Sequence, residues 1–157
     1  MLVRCTRKML DLLGPRGASL SDQPPTDDDW YLNLLWIDRQ KCALLAHQGT
    51  LLSVFRARVR SAHLRAFGNY VVAAIESELH SEGLAGDTLG VLQRDDVRIA
   101  RTATRSTLGF MDQMAVELRY RIAYEGGLAR CDIDALNYEL RRTPRSHGDC
   151  VYPRPTT

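Results

Sequence analysis

Lysine is almost missing from this chain. Of its 21 basic residues only Lys8 and Lys41 are lysine, and the rest are arginine. Arginine presents a planar fork that suits phosphate and carboxylate, but here it is spread along the whole sequence, as the codon usage of a GC-rich genome produces. Abundance alone therefore names no ligand. The excess of positive charge is also small, +2 with an isoelectric point near 8.4, too mild to define a nucleic-acid binder by charge. Long apolar runs are lacking: the longest largely apolar stretches, 32–37 and 42–46, fall far short of the roughly 20 residues that span a bilayer. No membrane segment is expected. The opening Met1-Leu2-Val3-Arg4-Cys5-Thr6-Arg7-Lys8 has no apolar core and no cleavage site of the secretory kind, so the expected compartment is the cytoplasm. Cysteine is sparse and unpaired in pattern: Cys5, Cys42, Cys131 and Cys150 form no Cys-x-x-Cys and have no histidine at ligand spacing. A disulfide framework would be unusual in such a chain, and Cys5 and Cys42 read as small buried hydrophobes. There is no glycine-rich phosphate loop and no Gly-x-Ser-x-Gly elbow. Neither a metal nor a cofactor is expected.

What is present is an ordinary globular composition, 45% hydrophobic and 25% charged over 157 residues, enough for one domain with a sizeable core. The expected domain covers residues 1–157, with a flexible loop at about 15–29 and an extended tail at about 144–157. Leu2 to Cys5 reads as a strand. Thr6 is then placed to cap a helix carrying Met9, Leu10 and Leu13, stopped by Gly14-Pro15. Trp30 to Ile37 reads as a strand buried on both faces, Asp38-Arg39-Gln40 as a turn, Lys41 to Ala46 as the returning strand, and Leu51 to Val59 as a third; together these predict an antiparallel meander. Leu64, Phe67, Val71, Ile75 and Leu79 predict one long helix over Ser61–Ser81. Asp87 to Gln93 predicts a short helix and Val97 to Arg101 a strand. Helices are predicted over Ser106–Tyr124, from Leu108, Met111, Ala115, Leu118 and Ile122, and from the cap Asp132 to about Arg142. The expected fold is α+β, a mainly antiparallel sheet of four to five short strands with three to four helices packed on it.

An ordered series runs through these elements: Arg4-Cys5-Thr6-x-Lys8, Trp30-x-x-Asn33-Leu34-Leu35, Thr50-Leu51-Leu52, Arg105-Ser106-x-Leu108-Gly109-x-Met111, Leu136-Asn137-x-x-Leu140-x-Arg142-x-Pro144 and Tyr152-Pro153. Its order and spacing resemble a family of small bacterial proteins, the domain of unknown function numbered sixty-nine thirty-three. The resemblance covers nearly the whole chain. It implies an association with mobile elements and plasmids but no activity. Where the family reads Asn-Arg-Ser and Met-Asn-Asp, this chain has Thr104-Arg105-Ser106 and Met111-Asp112-Gln113, so a polar site built on those asparagines would be altered here.

Candidate chemistry gathers at strand-to-helix turns. A helix start exposes unpaired N–H groups and a partial positive charge, which together attract an anion. At Thr102–Ser106, Arg105 would add a bidentate clamp and Thr104 or Ser106 a hydroxyl. Arg4 and Thr6 repeat the theme at the first turn, and the two would form one anion pocket if they open on the same sheet edge. The competing reading is that Thr6 and Ser106 are only helix caps. The alternation Phe55-Arg56-Ala57-Arg58-Val59-Arg60 would place Arg56, Arg58 and Arg60 on one face of a strand, where they could follow phosphates or merely protect an edge. Glu76 with His80, the Asp27–Asp29 run and His147 with Cys150 are weak enzyme signals, better read as an ion pair, a turn and part of the tail. Trp30, Tyr31 and Trp36 read as sheet-packing residues.

The expectation is thus a non-enzymatic binding or accessory protein of the cytoplasm, with nucleic acid, another phosphate-bearing anion, or a protein as its partner. A protein-interaction or antitoxin-like regulatory subunit and a small enzyme acting on a phosphorylated metabolite are the alternatives.

Overall fold

The structure is a computed structural model that describes residues 1–14 and 19–142. The tail read from Pro144 onward, including Arg145, His147, Cys150 and Arg154, lies outside the described residues. Five strands, β1 (Leu2–Cys5), β2 (Trp30–Ile37), β3 (Gln40–His47), β4 (Ser53–Arg56) and β5 (Arg98–Arg101), form one sheet in the order β4-β3-β2-β1-β5. Five helices accompany it: α1 (Arg7–Leu13), α2 (Ser61–Arg65), α3 (Phe67–Ser81), α4 (Arg105–Tyr124) and α5 (Ile133–Arg142).

The α+β class holds, and the sheet, though mainly antiparallel in its pairing, is mixed rather than purely antiparallel. The meander β2-β3-β4 pairs antiparallel, whereas β1 lies parallel to both β2 and β5. Local patterning found the hairpin because its turn is local. Asp38 and Arg39 both take positive φ, 51° and 63°, the conformation that lets a two-residue turn follow the twist of the strands. The parallel joints are made over long chain separations, Leu2 opposite Arg98, where no local signal reports them.

Each face of the sheet carries one cluster. On the first, Val3, Cys5, Leu32, Leu45 and Val54 meet Met9 and Leu13 of α1 and Val71, Ile75 and Leu79 of α3. On the second, Tyr31, Leu35, Leu44 and Phe55 meet Phe110, Met111, Met114 and Leu118 of α4 and Leu136 and Leu140 of α5. Complete burial of a side chain such as Ile75 or Leu79 contributes on the order of 1.5–3 kcal/mol, so these helical stripes fix which face each helix covers.

Three local expectations are corrected. The helix expected over Ser61–Ser81 is interrupted at Ala66 (φ −111°, ψ 51°), giving α2 and α3. Beside the break, a Cβ at Gly68 would sit 2.4 Å from the Arg94 carbonyl oxygen, a close approach only glycine allows. The stretch 87–93 is a turn followed by irregular chain, not a helix. Finally, the third strand is shorter than Leu51–Val59, bounded by Leu51 at φ 58° and Arg58 at φ 57°.

Candidate functional site

Strands β1 and β5 are parallel neighbours, with Cys5 opposite Arg101, so their carboxyl ends open together. The chain leaves β1 into α1 on the first face and leaves β5 into α4 on the second. Divergence of this kind between adjacent parallel strands opens a crevice at their carboxyl ends, where ligands of open sheets commonly bind. Both turns are also tied to β2. The Thr6 hydroxyl donates to Asn33 Oδ1 at 2.8 Å, and the Thr104 backbone N–H donates to the Tyr31 hydroxyl at 3.0 Å. Tyr31 and Asn33 are alternate residues of one strand and share a face. The two turns predicted as separate candidates are therefore neighbours.

The cap reading holds for Thr6 in position only: Thr6 is the N-cap residue of α1 but makes no side-chain cap hydrogen bond, while the N-cap of α4 is Thr104 and Ser106 lies inside the first turn. Thr6 holds Asn33 instead.

Arg4 is 4% exposed. Its Nε donates to Asp29 Oδ2 at 2.7 Å, and its two terminal nitrogens donate to the carbonyls of Arg101 and Gln23 at 2.9 and 2.8 Å. It thereby fastens the 20–29 loop to β1 and β5. Arg56, Arg58 and Arg60 lie at the far edge of the sheet, on and after β4, so they do not join the crevice. Nor do they form the expected stripe. The strand ends at Arg56, and Phe55 and Val59 enter opposite clusters. Arg56 donates to the carbonyls of Phe55 and Ala74 and stands 3.7 Å from Glu78.

Sequence reasoning passed over two arginines that the fold brings into the crevice. Arg7, at the start of α1, and Arg101, at the end of β5, line one cleft of about 470 Å³ with Cys5, Asp11 and Thr102. Both are exposed, as is Arg105, and none of the three takes part in the ion pairs found among the described residues. The signal available in the sequence was an arginine near the carboxyl end of each of two strands, Arg7 two residues after β1 and Arg101 the last residue of β5; the parallel pairing that joins them was not legible. The nearby thiol is inert, because burial pushes Cys5 up to about 12 and only a thiolate is nucleophilic. Among the described residues no group of three or more His, Cys, Asp and Glu could hold a metal ion, and no helix is long and apolar enough to cross a membrane.

The model of the family described as domain of unknown function DUF6933 matches residues 2–156. The chain belongs to DUF6933. No curated protein and no solved structure matches it. With the fold in view, most of the series by which the chain resembled DUF6933 points inward. Arg4 binds Asp29, Thr6 binds Asn33, and Thr50 binds His47. Asn137 accepts from the Phe55 N–H at 2.6 Å and donates to the Phe55 carbonyl at 2.9 Å, standing in for a sixth strand along the free side of β4. Arg142 binds Glu82. In that DUF6933 series Arg105 and Lys8 are exposed at the two strand-to-helix turns.

Proposed function

We propose that this DUF6933 chain is a cytoplasmic, non-enzymatic binding module for a phosphate-bearing anion, a nucleotide-like small molecule or a nucleic-acid backbone. The ligand lies in the crevice at the carboxyl ends of β1 and β5. The observation that carries this reading is the joint presence of Arg7 and Arg101 in one 470 Å³ cleft, with Arg105 exposed at the start of the 20-residue helix α4. Two guanidinium groups supply charge-assisted donors, the α4 terminus adds its partial positive charge, and the Thr102 hydroxyl supplies a neutral donor. Asp11 on the same wall disfavours a highly charged polyanion deep in the cleft and favours a single phosphoryl group. Buried free thiols at Cys5 and Cys42 suit the reducing cytoplasm, and an accessory role suits the association with bacterial mobile elements that the family resemblance implies.

A thermal-shift series tests the proposal: inorganic phosphate, nucleotides, phosphorylated sugars and single- and double-stranded oligonucleotides, each at two salt concentrations, on the wild type and Arg101→Ala. Ligand at 100 times its dissociation constant stabilises the fold by about 2.7 kcal/mol. A rise with one class that Arg101→Ala abolishes supports the site and names its chemistry. A steep fall with salt identifies a nucleic-acid backbone. No response across the series, with both proteins folded, overturns the proposal and turns the search to protein partners.

A further inference from the structure

A second surface lies on the side of α4 turned away from the sheet. Met111, Met114 and Leu118 bury one side of the helix in the second cluster. Each residue advances about 100° around a helix, so Val116, two places from both Met114 and Leu118, points the opposite way. Val116 is 69% exposed, and Tyr120 and Tyr124, one and two turns on, are 76 and 84% exposed. Large apolar side chains at a surface usually occur singly. Here three share one helix face, and none of the described residues covers them.

Two charges flank this stripe. Asp112 lies one turn before Val116 and Arg119 nearly one turn after it, both exposed. Seven residues are almost two full turns, so the two sit on the same flank. Asp112 takes no part in the ion pairs found among the described residues. Arg119 donates from Nη1 to the Trp36 carbonyl, which holds the guanidinium in place without neutralising its charge. Gln113 and Tyr120, also seven residues apart, share the other flank.

We infer that this face seats a second copy of the chain, with α4 packed antiparallel on its counterpart about a twofold axis beside Val116. Charge complementarity selects both the occupant and the direction. A twofold axis of this kind makes the contact self-complementary: each flank stays on its own side and its height along the helix is reversed. Asp112, about 6 Å along the helix from Val116, then comes opposite Arg119 of the second copy, about 4.5 Å to the other side. The pair is made twice. Parallel packing would instead set aspartate against aspartate and arginine against arginine, which is repulsive at both places. On the other flank Tyr120 meets Gln113, and Tyr124 comes over Gly109, where a missing side chain leaves room for a ring. Tyrosine suits such a contact because its ring is apolar and its hydroxyl stays wet. A footprint of about 30 by 10 Å is smaller than the roughly 800 Å² per partner of a standard interface, so the dimer is expected in the micromolar range rather than tighter.

Sedimentation equilibrium of the full-length protein over a dilution series tests the inference. The expected mass rises from 17.7 kDa to twice that value as concentration increases. Asp112→Arg places four like charges along one flank of the contact and should raise the dissociation constant about tenfold or more. Tyr120→Ser should weaken the dimer in the same direction. The swap Asp112→Arg/Arg119→Asp restores opposite charges in the antiparallel arrangement and should return the dissociation constant to within about threefold of the wild type. Because Asp112 and Tyr120 are exposed, an unchanged urea midpoint is expected in both single variants. A protein that stays monomeric up to roughly 100 micromolar overturns the inference. So does a dimer indifferent to Asp112→Arg and Tyr120→Ser, which would lie on another face. Weakening by Asp112→Arg that the double swap does not reverse overturns it as well, by removing the antiparallel pairing on which it rests.

Discussion

At the two edges of the sheet the same residue type meets opposite surroundings. Along β4, arginine belongs to the fold. Arg141, 2% exposed, lies among Glu78 Oε1 at 3.0 Å, Glu82 Oε1 at 2.7 Å and the Ser53 carbonyl, while Arg142 grips the other Glu82 oxygen at 2.7 Å and Arg56 reaches toward Glu78. Along β5, Arg7, Arg101 and Arg105 face solvent beside a cleft. Arg4, one strand inward, is the exception at that edge, and its bonds to Asp29 and two carbonyls build the wall of the crevice. The difference shows why counting arginines in the sequence is uninformative: burial and carboxylate supply decide which ones belong to the fold and which stay exposed.

The comparison breaks first at Arg141. Removing one member of a buried ion network leaves the others desolvated and unpaired, so Arg141→Met should cost about 3–5 kcal/mol in urea unfolding. A loss below about 1 kcal/mol, the value of a surface pair, would mean that the β4 network is not buried as described. Next in size is Asn137→Ala. It strands the Phe55 N–H and carbonyl inside the protein, at a cost of roughly 1–3 kcal/mol for such a group, and amide exchange at Phe55 should accelerate more than at Leu44 on the neighbouring strand. Unchanged exchange at Phe55 would deny Asn137 its role as a surrogate strand.

Two titrations sharpen the contrast further. Hydrogen bonds from Arg142, then Arg141, hold Glu82 below its ordinary 4.5. A depressed carboxyl contributes stability that is complete above the unfolded value and is lost as pH falls through the folded one. Glu82→Gln should therefore flatten the acid limb of the stability profile below pH 4.5. His47 behaves alike in sign but at higher pH. Burial lowers it from 6.5, against the partial opposing pull of Asp28, Asp27 and Asp29. Its Nδ1 lies 3.0 Å from the Thr50 hydroxyl and 3.3 Å from the Thr50 amide, and its Nε2 is buried without a hydrogen-bond partner among the described residues. Stability should fall as pH drops below 6.5 in the wild type and fall less in His47→Gln; parallel profiles would remove His47 as the cause.

Much of the fold was legible from local pattern. The hairpin at Asp38-Arg39, the apolar stripes of α3 and α4 and the Asp132 cap, whose Oδ1 accepts from the Ala135 N–H at 3.2 Å, each depend on neighbours a few residues away. What escaped depends on distant chain. The parallel joints of β1, the Gly68 approach to Arg94 and the pairing of Arg4 with Asp29 join residues whose separation carries no period. Trp36, read as sheet-packing, is 53% exposed because it sits where β2 runs beyond Cys5, the last residue of β1 in their register. The site was half legible for the same reason: both turns were visible as motifs, but the residues they share, Arg7 and Arg101, became neighbours only through the β1–β5 pairing.

The smallest effect on stability belongs to the residues proposed to matter most for function. Arg101 and Arg105 are exposed and make no ion pair among the described residues, so replacing either with alanine should change unfolding free energy by no more than about 0.5 kcal/mol, as for ordinary surface positions. The two ends of the sheet then separate into two measurements. Arg141→Met should lower stability while leaving the affinity of the folded protein for the proposed anion unchanged, because its partners lie on the far side of three intervening strands. Arg101→Ala should do the reverse, leaving the urea midpoint in place while weakening a phosphate-bearing ligand by a factor of roughly ten to a hundred, the value of one charge-assisted bond of about 1.5–3 kcal/mol. If Arg101→Ala instead unfolds the chain as Arg141→Met does, the β5 edge uses its arginines as the β4 edge does, and the crevice is a seam of the fold rather than a site.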